Sequence, residues 1–555
     1  MTARHSESSI GNAWIFGPLP DLLFGSGLLY LLFIGGLIIA GSSAREAISP
    51  TWGSALILIV SGAHYGATLL RVYEHAAERN AYRLFTVYGT GVMLAVLVGA
   101  LYSPLAGSAL ITLYLTWSPW HYSGQNYGIA VMLLRRRGIE LTPTTKRWLY
   151  ASFIFSFLSV FLNFHFEGGV SQGNPLGYTS LDATNFHFIT MGLPGEWRLL
   201  LMPMVGIGYV VSILVAILLL LRSASLRAIG PTVLVILTQA VWFAIPHIGF
   251  YLDWTTGIPA LNPIGGDRFR FYFLWTALGH ALQYLWITTY YARSESRWGG
   301  YRRYFTKTFV FGNAVWAAPV LLFGPEGMGR PDFESGLAMC VAAAVNVHHF
   351  MLDGAIWKLR NPKIAAVLLR PKAGKPEEST ESTTGVWRTR IAWTFAGFFC
   401  LANVVPEIDI ERRLPAALMR QDYEAAESIL DRAAFYGRDS STWRAALANH
   451  LVKTQDPWSA IPQYRRSLKF HPQADGFVQL GNLVEKLEGT EQAVVTWKEG
   501  LTHFPEDFDL NRRLGAGLVK LQRFEDALPY LGHAVELRPE DRAARQAFAQ
   551  ARARG

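Results

Sequence analysis

Eleven stretches of about 20 mostly apolar residues run through the first 406 positions, and few folds other than a membrane bundle can absorb them. They lie near 20–41, 51–74, 84–103, 106–133, 147–165, 199–222, 231–252, 270–292, 305–324, 335–358 and 386–406. Each is long enough, at 1.5 Å per helical residue, to cross about 30 Å of hydrocarbon. Composition agrees: 51% of the 555 residues are hydrophobic and only 16% charged, with a mean hydropathy of +0.20, too apolar for an ordinary soluble chain. The sequence predicts an all-α fold, a polytopic transmembrane helical bundle of 11 spans over 1–406 followed by a soluble α-solenoid over 412–555.

The net charge of +9 does not point to nucleic acid. The basic residues sit in short loops such as "LRRRGIELTPTTKR" and "ARSESRWGGYRRYFTK", all on one side of the expected bundle, while the opposite loops are nearly free of Lys and Arg. That bias places the N-terminus in the cytoplasm and, with an odd number of spans, the C-terminal domain in the periplasm or outside the cell. The expected location is the bacterial cytoplasmic membrane, with the first apolar run retained as an anchor rather than cleaved. Cys340 and Cys400 both fall in apolar runs and form no metal or disulfide motif.

From about residue 412 the chain repeats itself. Leu480-Gly481 recurs as Leu514-Gly515, Ala493 as Ala527 and Pro505 as Pro539, each 34 residues on; Leu447-Ala448, Ala460 and Pro472 give a further copy at a spacing of 33. This is the period of tetratricopeptide repeats, helix pairs that stack into a solenoid and present a surface to protein partners.

Within the apolar part, histidines fall at one depth. His64, His121, His280 and the pair His348/His349 each lie about 10 to 15 residues from the outer end of a span running in the same direction, so their levels agree within about 8 Å near the bilayer centre. Each heads a polar stripe at helical spacing: His64 with Thr68, Arg71 and His75; His121 with Gln125; His280 with Gln283 and Tyr284; and, in "VNVHHFMLDGAIWKLR", His349 with Asn346 and Asp353, while His348 points about 100° away. Ionisable groups at this depth are costly unless they meet partners, a cavity or a metal, and imidazole is the commonest ligand of transition metals. The expected metal ligands are therefore His64, His121, His280, His348 and His349. Arg71, His75, Gln125, Gln283, Tyr284, Asn346 and Asp353 are expected to hold those ligands from behind or to bind substrate, and Asp353 can also ligate. His165 and His187, in or beside an outer loop, are expected to be structural, and His247 lies near the outer interface of its span.

The short motifs "AHYG", "WHYSGQNYG", "GHALQYL" and "NVHHFMLDGAIWKLR" resemble those of a group of uncharacterised polytopic bacterial membrane proteins. Over about residues 50–360 they are more distantly similar to the Brp/Blh carotene dioxygenases, which lack the extra spans and the repeats. That resemblance implies a non-haem iron held by His64, His121, His280 and His349, and an oxidative reaction on a lipid or isoprenoid. Two other classes compete. A polyprenyl-phosphate-dependent glycosyltransferase shares the span number, but its chemistry needs acids in the first outer loop, where only Glu46 stands; the long outer loop adds Glu167, Asp182 and Glu196. A non-enzymatic scaffold recruiting partners through the repeats explains the C-terminal domain and leaves the central histidines without a role.

Overall fold

The computed structural model describes residues 13–48, 50–74, 76–167, 186–264, 269–295, 298–328, 333–358, 362–369, 385–454 and 456–555. His75, Asp182 and the first twelve residues, which enter the sequence reading above, lie outside them. The described residues form helices, and the chain divides into two compact units, Met1–Val320 with Ala338–Val404, and Leu321–Leu337 with Val405–Gly555.

The main helices of the first unit are α1 (Pro18–Gly25), α2 (Leu28–Ala40), α3 (Trp52–Tyr73), α4 (Leu84–Tyr102), α5 (Pro104–Arg136), α6 (Pro143–His165), α7 (Gly195–Ser223), α8 (Leu226–Thr256), α9 (Phe269–Arg293), α10 (Tyr301–Phe323), α11 (Ala338–Ile356) and α12 (Pro362–Leu369). The helix α13 (Thr389–Met419) contains the division at Val404/Val405. Eight of these, α3, α4, α6, α7, α8, α10, α11 and α13, are long and apolar enough to cross a membrane. The pair α1 and α2, bent by 61° at a short break, makes a ninth if counted as one span. The remaining two of the eleven expected spans are present as helices of 33 and 25 residues, α5 and α9, and they are not among the eight. Both carry polar residues at the level of the histidines, which lowers their hydropathy.

Small residues set the closest approach in this unit. On α3, Gly62 and Gly66 flank His64 in "GAHYG", and they meet α10 backbone to backbone. A Cβ built on Gly66 would lie 1.8 Å from the Thr308 carbonyl oxygen, and one on Gly312 1.6 Å from that of Gly62. This is the small-xxx-small approach that lets membrane helices gain van der Waals contact and Cα–H···O interactions. Asn313 of α10 fixes the register by donating to the Leu58 carbonyl at 3.1 Å, and it accepts from Asn403 of α13 at 2.9 Å. The N-terminal segment is anchored by buried Asp21, which accepts from the backbone N–H groups of Ile15 (2.5 Å) and Phe16 (3.1 Å) and from the indole N–H of Trp286 on α9 (2.9 Å).

The second unit is a stack of helix pairs: α14 (Tyr423–Phe435), α15 (Ser441–Lys453), α16 (Pro457–Phe470), α17 (Ala474–Leu487), α18 (Thr490–His503), α19 (Phe508–Lys520), α20 (Phe524–Leu537) and the closing α21 (Arg542–Arg554). The repeated positions are those at which helices touch. Ala448, Ala460, Ala493 and Ala527 are fully buried, and a Cβ on Gly481 or Gly515 would press into Trp497 or Leu531. The starts of helices repeat too: Asp422, Asp456, Asp507 and Asp541 each cap a helix by accepting from the N–H three residues on.

Candidate metal centre

Four helices of the first unit carry one imidazole each to a common point: α3 brings His64, α5 His121, α9 His280 and α11 His349. Ring centroids are 4.4 Å apart for His64 and His349, 5.0 Å for His64 and His280, 5.1 Å for His121 and His280, and 5.2 Å for His121 and His349. The Nε2 atoms of His64 and His349 stand 2.7 Å apart. The donor atoms of His64, His280 and His349 lie within 4.8 Å of one another, as do those of His121, His349 and Asp353, so His349 belongs to both sets.

The carboxylate of Asp353 closes the cluster. Its Oδ1 accepts from the Tyr284 hydroxyl at 2.7 Å and from Thr68 at 3.4 Å, and its Oδ2 lies 3.4 Å from His349 Nε2 and 3.8 Å from His121 Nε2. Thr68 also meets the Tyr284 hydroxyl at 2.6 Å and His349 Nδ1 at 3.0 Å, which fixes the rotation of that ring, while the Trp357 indole donates to the Tyr284 hydroxyl at 3.1 Å. Against this well-bonded side stand nitrogens with no protein partner. Nδ1 of His64, Nε2 of His121 and both ring nitrogens of His280 are buried without a hydrogen bond. A buried polar atom left unpaired costs about 1 to 3 kcal/mol, so these rings gain from a further partner, to which each imidazole can turn one of its two diverging nitrogens. Imidazole nitrogens with a carboxylate beside them are a donor set that suits a transition-metal ion.

The other expected residues are placed as follows around the cluster and beyond it. Gln125 and Gln283 brace the backbone: Gln125 donates to the His280 carbonyl and to Gln283 Oε1, both at 3.2 Å, and Gln283 donates to the Gly25 carbonyl at 3.4 Å. Asn346 donates to the Ala342 carbonyl and accepts from the Tyr65 hydroxyl at 2.5 Å. Arg71, although on the same stripe as His64, lies two turns further along α3, about 10 Å away; it pairs with Glu78 at 3.2 Å and lies over the Tyr291 ring. His348 faces away from the four rings and meets Thr90 Oγ1 of α4 at 3.0 Å. Outside the cluster, His165 meets Thr116 Oγ1 at 3.1 Å and accepts from the Met191 N–H at 3.2 Å, and the side chain of His247 is buried near Phe164.

Aromatic residues that the sequence reading did not single out complete the walls. Tyr122 stacks on His280 with centroids 3.9 Å apart, Phe350 stacks on His121 at 4.4 Å, and Tyr65 packs edge-on against His64 and His349. Tyr122 and Phe350 each follow a cluster histidine directly in sequence, and that adjacency is the signal that would have found them.

Two cavities reach the cluster. A chamber of about 340 Å³ lies between α3, α4, α10 and α11, is mostly apolar, and touches His349, Thr68 and Tyr65. A groove, also of about 340 Å³, runs along α5 and touches His121, Asp353 and Tyr284.

No family model matches the chain, and no curated protein matches it. Among solved structures, MamA AMB-1 is 22% identical, covering 25% of this chain and 76% of that one at a TM-score of 0.21. YrrB, described as a TPR protein with an unusual peptide-binding site, is 16% identical over 30% of this chain and 86% of its own, and MamA MSR-1 is 20% identical over 26% and 84%, each again at a TM-score of 0.21. Each likeness thus covers under a third of this chain. The tetratricopeptide-like character of the second unit is carried by its own helix pairs and their 34-residue period.

Proposed function

We propose that the first unit is a membrane-embedded multi-histidine metalloprotein, an iron-dependent oxidoreductase acting on a lipid or isoprenoid, and that the repeats recruit a protein partner. The observation that carries the metal is the four imidazoles from four helices, with Asp353 beside His121 and His349 and the nitrogens of His280 buried without a hydrogen bond. His64, His121, His280 and His349 would hold the ion, and Asp353 would ligate or orient them. Iron bound there would supply a redox couple. The chain's own residues do the rest: Thr68 and Tyr284 hold His349 and Asp353 in place, and the aromatic rings of Tyr122 and Phe350 limit the entry of water. The apolar cavities on either side favour a substrate drawn from the bilayer.

Metal analysis of the detergent-purified chain tests this reading. The expected result is one equivalent of iron per chain; protein that carries and binds no transition metal overturns it. The proposed topology has the N-terminus in the cytoplasm and the repeats on the outer side of a bacterial cytoplasmic membrane. Alkaline phosphatase fused after Gly555 is then active, because the enzyme requires an oxidising compartment. An inactive fusion places the repeats in the cytoplasm.

A further inference from the structure

Two turns along α3 from His64, a separate pocket is built from charge. It lies where α3 and α9 end and α10 begins, and its volume is about 60 Å³. That is room for about four to six water-sized groups, which suits a small polar headgroup and not an acyl chain. Three cations line it, Arg71, Arg303 and Lys307, together with two carboxylates, Glu74 and Glu295. Arg71 lies deepest. Its side chain is 6% exposed, Nη1 pairs with Glu78 at 3.2 Å, the guanidinium lies 4.3 Å over the Tyr291 ring, and Nε is buried without a hydrogen bond. Lys307 bonds to Glu74. Arg303 stands exposed at the mouth with its stem folded over Gly299, where an added Cβ would lie 2.6 Å from Arg303 Cδ. The missing side chain at 299 is what lets that guanidinium reach inward.

We infer that this pocket binds a phosphoethanolamine group, its phosphate held by Arg71, Arg303 and Lys307 and its ammonium by Glu74 and Glu295. The inference goes beyond the proposed function and needs only the membrane bundle, not the metal. A bare phosphate would bring its charge against two carboxylates, and a bare ammonium would meet three cations. A ligand that carries both charges gives each set a partner. The phosphate also supplies the acceptor that Arg71 Nε lacks, and a guanidinium matches phosphate oxygens with paired N–H donors. A primary ammonium suits the carboxylates because it donates three hydrogen bonds. The quaternary ammonium of choline needs open aromatic faces instead, and here the Tyr291 ring is covered by Arg71 while Trp298 packs edge-on against Tyr301. The ends of the helices, on the side with the basic loops, are the level at which phospholipid headgroups stand. A phospholipid is therefore one source of the group, and soluble phosphoethanolamine is the other.

Native mass spectrometry of the full-length chain in a nonionic detergent tests this, with dioleoyl phosphatidylethanolamine, phosphatidylglycerol and phosphatidylcholine titrated separately. Phosphatidylethanolamine is expected to occupy one site roughly tenfold more tightly than either of the others. Arg303→Ala, a change at the exposed mouth, should weaken that binding roughly fivefold, with the melting temperature unchanged. Gly299→Val keeps every charge, displaces the Arg303 stem and should do the same. Displacement by soluble phosphoethanolamine at concentrations near the lipid's own assigns the pocket to the free compound; a requirement for a large excess assigns it to the lipid. Equal binding of the three lipids, tighter binding of phosphatidylglycerol, or wild-type binding by both variants overturns the inference. None of these readouts involves iron, so a metal-free chain that prefers phosphatidylethanolamine sustains the pocket while the metal reading falls.

Discussion

Both units bury charged and polar side chains, and two clusters, one in each, treat them in opposite ways. In the repeat unit, Arg444 is 1% exposed, and its Nε, Nη1 and Nη2 donate to Asp439, Gln463 and Asp431 at 2.8, 2.9 and 2.8 Å. Asp409, fully buried, accepts from Arg413 at 2.9 Å and Arg432 at 2.6 Å. In the first unit, His280 is equally inaccessible and neither of its nitrogens is bonded. A saturated network ties helices together and leaves nothing to bind. An unsaturated one stores binding capacity, because the cost of the open donors and acceptors is recovered only when a further species arrives. The contrast separates buried polarity that builds a fold from buried polarity that builds a site.

Four substitutions probe that contrast. The largest effect is expected from Gly66→Leu, whose side chain has no room against the Thr308 carbonyl; α3 cannot reach α10, and the full-length chain should fail to accumulate in the membrane fraction. Wild-type levels of folded Gly66→Leu would mean that the helices do not touch there. Next, His349→Ala should abolish stoichiometric metal binding, because His349 is common to both ligand sets, and the melting of the repeat unit should not change. Arg444→Met is its mirror image: it removes the donors that reach buried Asp439, Gln463 and exposed Asp431 while Arg466 still pairs with both carboxylates, and it should cost the repeat unit about 1 to 3 kcal/mol in chemical unfolding and spare the metal. If either variant produced the other's phenotype, the division into fold-building and site-building polarity would fail. The smallest effect belongs to Asp353→Asn, which keeps shape and loses charge, and should weaken metal affinity about 10- to 100-fold in competition with a chelator. An unchanged affinity would reduce Asp353 to a hydrogen-bond acceptor for Tyr284.

Much of this was legible in the chain, for identifiable reasons. Depth along a span is a one-dimensional quantity, so His64, His121, His280 and His349 could be matched by counting residues, but depth alone also admitted His348, which meets Thr90 instead. The 34-residue period fixed the helix pairs of the second unit because each repeated small residue sits at a helix crossing. Distance along a stripe was harder to use. Arg71 shares a face with His64, yet two turns of helix carry it to Glu78 and Tyr291 instead. The aromatic walls were illegible because Phe, Trp and Tyr make up 13% of the sequence, and composition alone does not tell a ring that lines a site from one that faces lipid. Gly66 was read as part of the motif "AHYG" and not as a contact, since its effect depends on which helix lies behind it.

That contact has a consequence for how His64 is held. His64 stands between Gly62 and Gly66, whose backbone rests on another backbone, so the imidazole is mounted on a support with no side chain to compress. A side chain mounted in this way moves little, so the direction in which His64 offers its nitrogens is set by the helix crossing before anything binds.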